Sequence, residues 1–182
     1  MNKKLQNLKL ELKYSPILTI GTTILITIIF LFQPENAVDK YGLTLKLISK
    51  EPWRLITNHF VHIDESHFLM NAIGLIFFCG ILENTGVKRN HIIQGIIYSV
   101  IFSDLFVLSS QLIRPSIVIG FSGVVYGLIG MMILLLDWRG ILGLVIIFFG
   151  LGALMMGSNI AWSGHLGGFI GGLILGNRIL NS

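Results

Sequence analysis

Charged side chains are scarce in this chain. They make up 12% of its 182 residues, whereas hydrophobic residues account for 53%. A soluble domain typically carries about 25% charged residues. Too little polar material remains to cover a surface that faces water, which excludes a soluble globule, a nucleic-acid-binding protein and a disordered chain. Lys and Arg number 13 against 9 Asp and Glu, and we interpret these basic residues as determinants of orientation across a membrane.

Cysteine is nearly absent, and so is internal repetition. Cys79 is the single cysteine, which excludes an internal disulfide, and within its apolar run we expect it to pack as a small hydrophobic side chain. The chain also lacks a sequence repeat of the kind that marks many transporters. Glycine, in contrast, is abundant with 21 residues, which predicts close contacts between membrane helices.

Long apolar segments divide the chain. A spanning helix needs about 20 apolar residues, and the pattern predicts six spans in one all-α, polytopic membrane domain that covers residues 1–182. The predicted spans are 16–33, 66–83, 91–112, 122–136 and two within 141–177. The last region carries no Asp, Glu, Lys or Arg, and polar residues at 158–159 and 163–164 divide it into spans five and six.

The basic residues predict the orientation of these spans. Six spans place both termini on one side of the membrane. The basic residues of the tail 1–15, of the turn 88–89, and Arg139 and Arg178 all fall on that side. The positive-inside rule then assigns both termini to the cytoplasmic side of a cell membrane. The long first loop, 34–66, faces outward, and we expect one or two short surface helices in it.

A serine between glycines opens the short fourth span. The segment reads Gly120-Phe121-Ser122-Gly123 and continues to Gly127. Glycine lets another group come close, and free N–H groups at a helix N-terminus can stabilise a developing oxyanion. Taken alone, however, this segment is better explained as a serine cap on a helix packed through small residues.

A histidine lies beside a glycine groove on span six. Glycines recur there at every fourth position: Gly164, Gly168, Gly172 and Gly176. Gly123 and Gly127 provide a matching face on span four, so the two helices can approach closely. His165 could then reach Ser122 and act as its general base. The alternative is a neutral histidine bonded to a neighbouring carbonyl, and the presence of Ser122 favours the catalytic interpretation.

Two residues could orient this histidine. Asp104 is the only Asp or Glu well inside a predicted span and could complete a triad. A position near the outer end of its helix, hydrogen-bonded or in water, is the favoured interpretation for it. Tyr126 is the better candidate, because it follows Ser122 by four residues on the same helix face and its ring could stack on the imidazole.

The start of span two carries further polar side chains. His67 and Asn71 are four residues apart, so they share a helix face, and both can donate hydrogen bonds to an oxyanion. The competing interpretation is a metal site formed by His59, His62 and His67. Their spacing does not match the H-E-x-x-H motif, and no paired cysteine supports zinc, so we predict neither metal nor cofactor. We expect His62 to bond within the first loop, and His59 and His91 to be peripheral.

Together these motifs resemble the rhomboid family of intramembrane serine proteases. The resemblance covers about residues 16–178. It rests on G-x-S-G at 120–123, on His165 with its glycines, and on the H-x-x-x-x-H-x-x-x-N pattern at His62, His67 and Asn71. Two further features of the family are matched by the Trp53-Arg54 pair and by Glu83, which resembles the acid that helps hold the first loop.

The resemblance implies a fold and a mechanism. It implies a minimal six-transmembrane-helix, rhomboid-like bundle that cleaves transmembrane segments of other membrane proteins with a Ser–His dyad. Ser122 is the implied nucleophile and His165 the base, with Tyr126 stacked on the imidazole. His67, Asn71 and the Ser122 backbone N–H form the implied oxyanion hole. The implied partners are transmembrane protein substrates and the lipid bilayer, without nucleic acid or metal.

Two alternatives and two structural expectations accompany this interpretation. A non-catalytic rhomboid-like protein that binds membrane helices is the first alternative, and a small transporter or channel is the second. The second would predict charged mid-membrane sites and internal symmetry, and neither is evident. The short fourth span predicts a water-filled cavity above Ser122. Span five, with Gly143, Gly150 and Gly152, is the predicted gate for substrates that enter from the lipid.

Overall fold

The computed structural model describes residues 16–136 and 161–181. Its α-helices are α1 (Ile17–Phe32), α2 (Ala37–Tyr41), α3 (Arg54–Thr57), α4 (Glu65–Asn84), α5 (Arg89–Gln111), α6 (Ser122–Leu135) and α7 (Trp162–Leu180), with a 3₁₀ turn at Asn58–Phe60. In this part of the chain, the only extended pairing is one antiparallel bridge between Leu43 and Val118. The described fold is therefore all-helical, as the sequence predicts.

The long helices match the predicted spans. Helices α1, α4, α5 and α6 occupy spans one to four, and α7 occupies the sixth. With 20 and 23 residues, α4 and α5 are long and apolar enough to cross a membrane, whereas α1 and α6 are shorter apolar helices. Predicted span five, its glycines and the tail 1–15 lie outside the described residues, so the count of six spans stays a prediction.

Apolar side chains cover the outward faces of the bundle. They recur every three or four residues along single helix faces, among them Ile20, Ile24 and Ile28 of α1, Ile73 and Ile76 of α4, and Ile97, Ile101 and Leu105 of α5, all at least 46% exposed. Soluble monomers rarely expose contiguous apolar surfaces of large area. These faces are therefore suited to contact with lipid.

Small residues form the interior contacts. Helix α6 packs against α4, α5 and α7, and 11 of its 14 residues are buried. A methyl group added to Gly168 would overlap the carbonyl oxygen of Gly123, and one added to Gly172 would overlap that of Gly127. The predicted glycine groove is confirmed, and it brings the backbones of α6 and α7 into direct contact.

The first loop packs onto one end of the bundle. The buried Arg54 side chain donates a hydrogen bond to the carbonyl oxygen of Gly42 (2.6 Å) and pairs with Glu51 (2.5 Å). At the end of α5, the Gln111 side chain accepts from the backbone N–H of Leu45 (2.5 Å) and donates to the carbonyl of Leu43 (3.2 Å). Helices α2 and α3 are the short helices expected in this loop.

Glu83 has a different role from the one the resemblance implied. It accepts hydrogen bonds from the backbone N–H groups of Leu18 (3.1 Å) and Thr19 (2.9 Å), and from the Thr19 hydroxyl (2.7 Å). The expectation that Glu83 holds the first loop is therefore wrong. Its carboxylate satisfies free N–H groups in the first turn of α1, where the helix dipole also favours a negative charge.

Replacing Asp64 with alanine should weaken the start of α4. The Asp64 carboxylate accepts from the His67 backbone N–H and from the Ser66 hydroxyl, both at 2.7 Å, and loss of such a cap costs about 1 kcal/mol. Denaturant unfolding of Asp64→Ala would measure this loss. Asp64→Asn, which keeps a capping oxygen, should unfold like the wild type, and equal losses in both variants would contradict the capping role.

The same cap predicts a pH dependence. The two hydrogen bonds hold the pKa of Asp64 below its ordinary value of 3.8. A carboxyl group with a lowered folded-state pKa stabilises the fold above its unfolded pKa, and this contribution is lost as pH falls through the folded value. The stability difference between wild type and Asp64→Ala should therefore be complete at neutral pH and shrink below pH 3.8.

Candidate active site

Ser122 and His165 meet at the glycine contact between α6 and α7. Ser122 is the first residue of α6, and His165 lies in the first turn of α7. The distance from His165 Nε2 to Ser122 Oγ is 2.7 Å, which is hydrogen-bonding distance for a nucleophile and its base. His165 is 6% exposed, whereas Ser122 is half-buried.

Aromatic rings fix the plane of the imidazole. The Tyr126 ring stacks on His165, with 4.1 Å between ring centroids and an interplanar angle of 10°. Trp162 meets the same imidazole edge-on at 6.0 Å. In the described part of the chain, Nδ1 of His165 has no hydrogen-bond partner. The imidazole is therefore oriented by ring packing rather than by a carboxylate.

Asp104 is paired elsewhere. Its Oδ1 atom lies 3.1 Å from His59 Nε2 and 3.4 Å from Asn58 Nδ2, and its side chain is buried. Asp104 is therefore hydrogen-bonded inside the protein and does not complete a triad. His59, expected to be peripheral, is only 2% exposed, so that expectation is wrong.

His67 and Asn71 are buried on α4, and His67 lies against the turn that precedes Ser122. A side chain at Gly120 would place its Cβ 2.5 Å from His67 Nε2, so the imidazole packs directly against this turn. Asn71 Nδ2 donates to the His67 carbonyl at 2.7 Å. Because an amide nitrogen carries two hydrogens, Asn71 keeps a second donor.

His62 supports His67 through ring packing. The two imidazoles meet edge-on, with centroids 5.2 Å apart. Burial, with a contribution from His67, lowers the pKa of His62 to about 3, so its ring is neutral at physiological pH. Its ring also interacts with the backbone of Phe60, which opposes this lowering. Its backbone N–H and carbonyl pair with the Gln33 side chain at the end of α1 (3.2 and 2.6 Å). The contact with Phe60 lies within the first loop, as the sequence predicts, and the contacts with Gln33 tie that loop to α1.

The three loop histidines do not converge on one point. His59 faces Asp104, whereas the rings of His62 and His67 pack against each other. Within residues 16–136 and 161–181, no three His, Cys, Asp or Glu side chains form a group that could hold a metal ion.

Comparisons with known proteins identify the family of this chain. The family model described as Rhomboid domain matches residues 49–182. The chain belongs to the rhomboid family. Among curated proteins it resembles RHOMBOID-like protein 4 of Arabidopsis thaliana, with 33% identity over 153 residues, which is 76% of this chain and 37% of that protein.

Two further Arabidopsis thaliana proteins are similar to this rhomboid. RHOMBOID-like protein 6, mitochondrial, is 31% identical over 166 residues, covering 83% of this chain and 52% of that protein. RHOMBOID-like protein 1 is 33% identical over 172 residues, covering 81% and 43%. The chain thus spans about half or less of the length of these relatives.

A network that connects the first loop to the serine turn was missed by the sequence analysis. Asn58 Nδ2 approaches Asp104, and the Asn58 carbonyl accepts a 2.8 Å hydrogen bond from the Gly120 backbone N–H. His59 Nε2 lies 3.1 Å from the same carboxylate. An acid inside an apolar span is a functional candidate by default, so the position of Asp104 could have indicated this network. Nothing in the sequence, however, identified the residues that contact Asp104.

Replacing Gly120 with alanine should damage this rhomboid. Gly120 has a φ of +108°, which a residue with a side chain adopts only at a cost of about 1–3 kcal/mol, and the new methyl group would press on His67. We expect a lower unfolding temperature, measured in detergent.

Gly80→Ala is the matched control for Gly120→Ala. A methyl group at Gly80 would meet only the Thr19 side chain, at 3.9 Å, which is an ordinary contact distance. This variant should keep wild-type stability. If Gly120→Ala were as stable as Gly80→Ala, the strained turn would not be essential.

Proposed function

We propose that this rhomboid is an intramembrane serine endopeptidase that cleaves transmembrane segments of other membrane proteins. The observation that supports this most is the 2.7 Å contact between Ser122 Oγ and His165 Nε2, with the imidazole stacked on Tyr126. A hydroxyl hydrogen-bonded to an oriented base is the arrangement that nucleophilic catalysis requires.

The proposed reaction begins with proton transfer. His165 removes the Ser122 hydroxyl proton while Oγ attacks the carbonyl carbon of the scissile peptide bond. The tetrahedral intermediate then collapses, and His165 returns the proton to the leaving amine. Water hydrolyses the resulting acyl-enzyme and regenerates the free hydroxyl.

Three groups are proposed to stabilise the negative oxygen of the intermediate. The backbone N–H of Ser122 lies at the N-terminus of α6, where free donors and the helix dipole favour an anion. His67 packs against the turn beside it, and Asn71 on the same helix face keeps one amide hydrogen for the oxyanion. Donors of this kind typically contribute about 10²–10³-fold to the rate each.

Water would reach Ser122 because α6 is short. Its 14 residues span about 21 Å at 1.5 Å per residue, whereas the hydrocarbon core of a bilayer is about 30 Å thick. We therefore infer that α6 begins below the surface, inside a six-span bundle with both termini cytoplasmic. The half-buried state of Ser122 is consistent with access from this side.

Reconstituted protein and a tagged single-span substrate would test the proposal. The substrate should carry small or helix-breaking residues near one end of its span, because a helical peptide bond must unwind before attack. We expect cleavage of this substrate, and labelling of the enzyme by a fluorophosphonate probe at Ser122, mapped by peptide mass spectrometry. Substrate that is bound but uncut, with no labelling, would instead indicate a non-catalytic helix-binding rhomboid.

A further inference from the structure

A concave site lies at the opposite end of α7 from His165. A cavity of about 360 Å³ opens between the first turns of α5 and the last turns of α7. Its lining residues are His91, Gln94, Tyr98, Leu175, Arg178 and Ile179. Thirteen residues of helix separate Arg178 from His165, or about 20 Å, so this cavity is separate from the candidate active site.

The polar lining of this cavity matches a phosphate group. Arg178 is a cation, and His91, Gln94 and Tyr98 can each donate a hydrogen bond. None of the six lining residues carries a negative charge. A guanidinium presents five N–H donors in a planar fork that suits phosphate oxygens.

The Arg178 side chain is held in place within the cavity. Its Nη1 atom donates a 3.0 Å hydrogen bond to the Tyr98 hydroxyl, the one hydrogen bond of this side chain among the described residues. The Arg178 guanidinium is therefore positioned across the gap between α7 and α5. Its other N–H groups remain available to donate to a ligand. Arg178 itself is exposed, so a ligand can reach it.

The surroundings of the cavity favour a lipid over a soluble phosphate compound. Ile97 lies one turn from Gln94 on α5, and Ile174 lies one turn from Arg178 on α7, both towards the middle of their helices. Their side chains are 49% and 41% exposed. A ligand with a phosphate at the helix ends and an apolar chain along these residues would contact both surfaces. Basic pockets between membrane helices are known to bind acidic lipid headgroups.

We propose that the cavity between α5 and α7 binds the phosphate of an anionic phospholipid, whose acyl chain lies against Ile97 and Ile174. Lys88 precedes the first residue of α5 at the same end of the bundle and adds positive charge near the membrane surface, which contributes about 1 kcal/mol of attraction to an anionic leaflet. Arg89 beside it is paired with Glu83 at 3.4 Å. The site requires no assumption about the proteolytic activity.

Native mass spectrometry with defined lipids would test this site. Detergent-purified protein should retain phosphatidylglycerol and lose phosphatidylcholine. Arg178→Gln should reduce phosphatidylglycerol retention about tenfold, because charge-assisted hydrogen bonds to the phosphate are lost. Arg114→Gln, which removes an exposed cation beyond the other end of α5, should retain it like the wild type.

A second variant and a competition experiment distinguish lipid binding from the alternatives. Gln94→Leu changes an exposed lining residue and should also weaken retention, which provides a second variant if Arg178→Gln is poorly folded. Excess inorganic phosphate should not displace the lipid; complete displacement would identify a site for free phosphate and overturn the lipid assignment. Equal retention of both lipids, or unchanged retention in both lining variants, would overturn the site itself.

Discussion

Replacing Ser122 with alanine is expected to abolish cleavage of a transmembrane substrate. The substitution removes the attacking oxygen and leaves His165 without a proton to accept, and loss of a serine nucleophile typically lowers kcat by roughly 10³-fold or more. Stability should change little, because Ser122 is half-buried and, among the described residues, its hydroxyl bonds to the His165 imidazole. Cleavage in proteoliposomes and thermal unfolding in detergent would measure the two effects.

Ser109→Ala is the matched control for the serine experiment. Ser109 is exposed, and within residues 16–136 and 161–181 its hydroxyl bonds to the Leu105 carbonyl of its own helix, at 2.7 Å. Its removal should therefore leave both activity and stability at wild-type values. Turnover by Ser122→Ala at the rate of Ser109→Ala would refute Ser122 as the nucleophile.

Replacing Gly168 with valine should disrupt the fold itself. Any side chain at this position would overlap the backbone carbonyl of Gly123, and backbone cannot move aside as a flexible side chain can. Overpacking of this kind costs about 1–3 kcal/mol or more. Separation of α6 from α7 would also break the contact between Ser122 and His165, so we expect both unfolding temperature and cleavage to fall sharply.

Gly21→Ala tests the specificity of this effect. Gly21 lies on the exposed side of α1, and nothing lies within 4 Å of an added methyl group. Alanine in a helix is favoured over glycine by about 1 kcal/mol, so this variant should be as stable as the wild type or more so. Wild-type stability and activity in Gly168→Val would show that close backbone contact between α6 and α7 is dispensable.

The contact between Ser122 and His165 could be predicted from the sequence because it follows from the regular spacing of glycines. Glycines at every fourth position identify a helix face, and a second glycine-bearing face identifies its neighbour. His165 lies beside one face and Ser122 beside the other, so close packing of the two helices places the side chains together. The same argument from helix geometry put Tyr126 on the face of Ser122.

The partners of isolated polar residues were not accessible in this way. Asp104, His59 and Glu83 each bond to a group that is remote in sequence, and no periodic pattern connects the members of such pairs. Glu83 contacts Leu18 and Thr19, 65 and 64 residues away, because α1 packs against α4. Such contacts depend on the order in which helices pack, which hydropathy does not encode.

The turn before Ser122 is attached to the first loop at two points. Leu43 and Val118 exchange backbone hydrogen bonds of 2.8 and 3.0 Å, and Gly120 N–H binds the Asn58 carbonyl. The position of Ser122 is therefore set partly by a segment more than 60 residues earlier in the chain. A membrane protein or antibody that deformed this loop would shift Ser122 without touching it, so the first loop is a remote site from which the proposed proteolysis would be controlled.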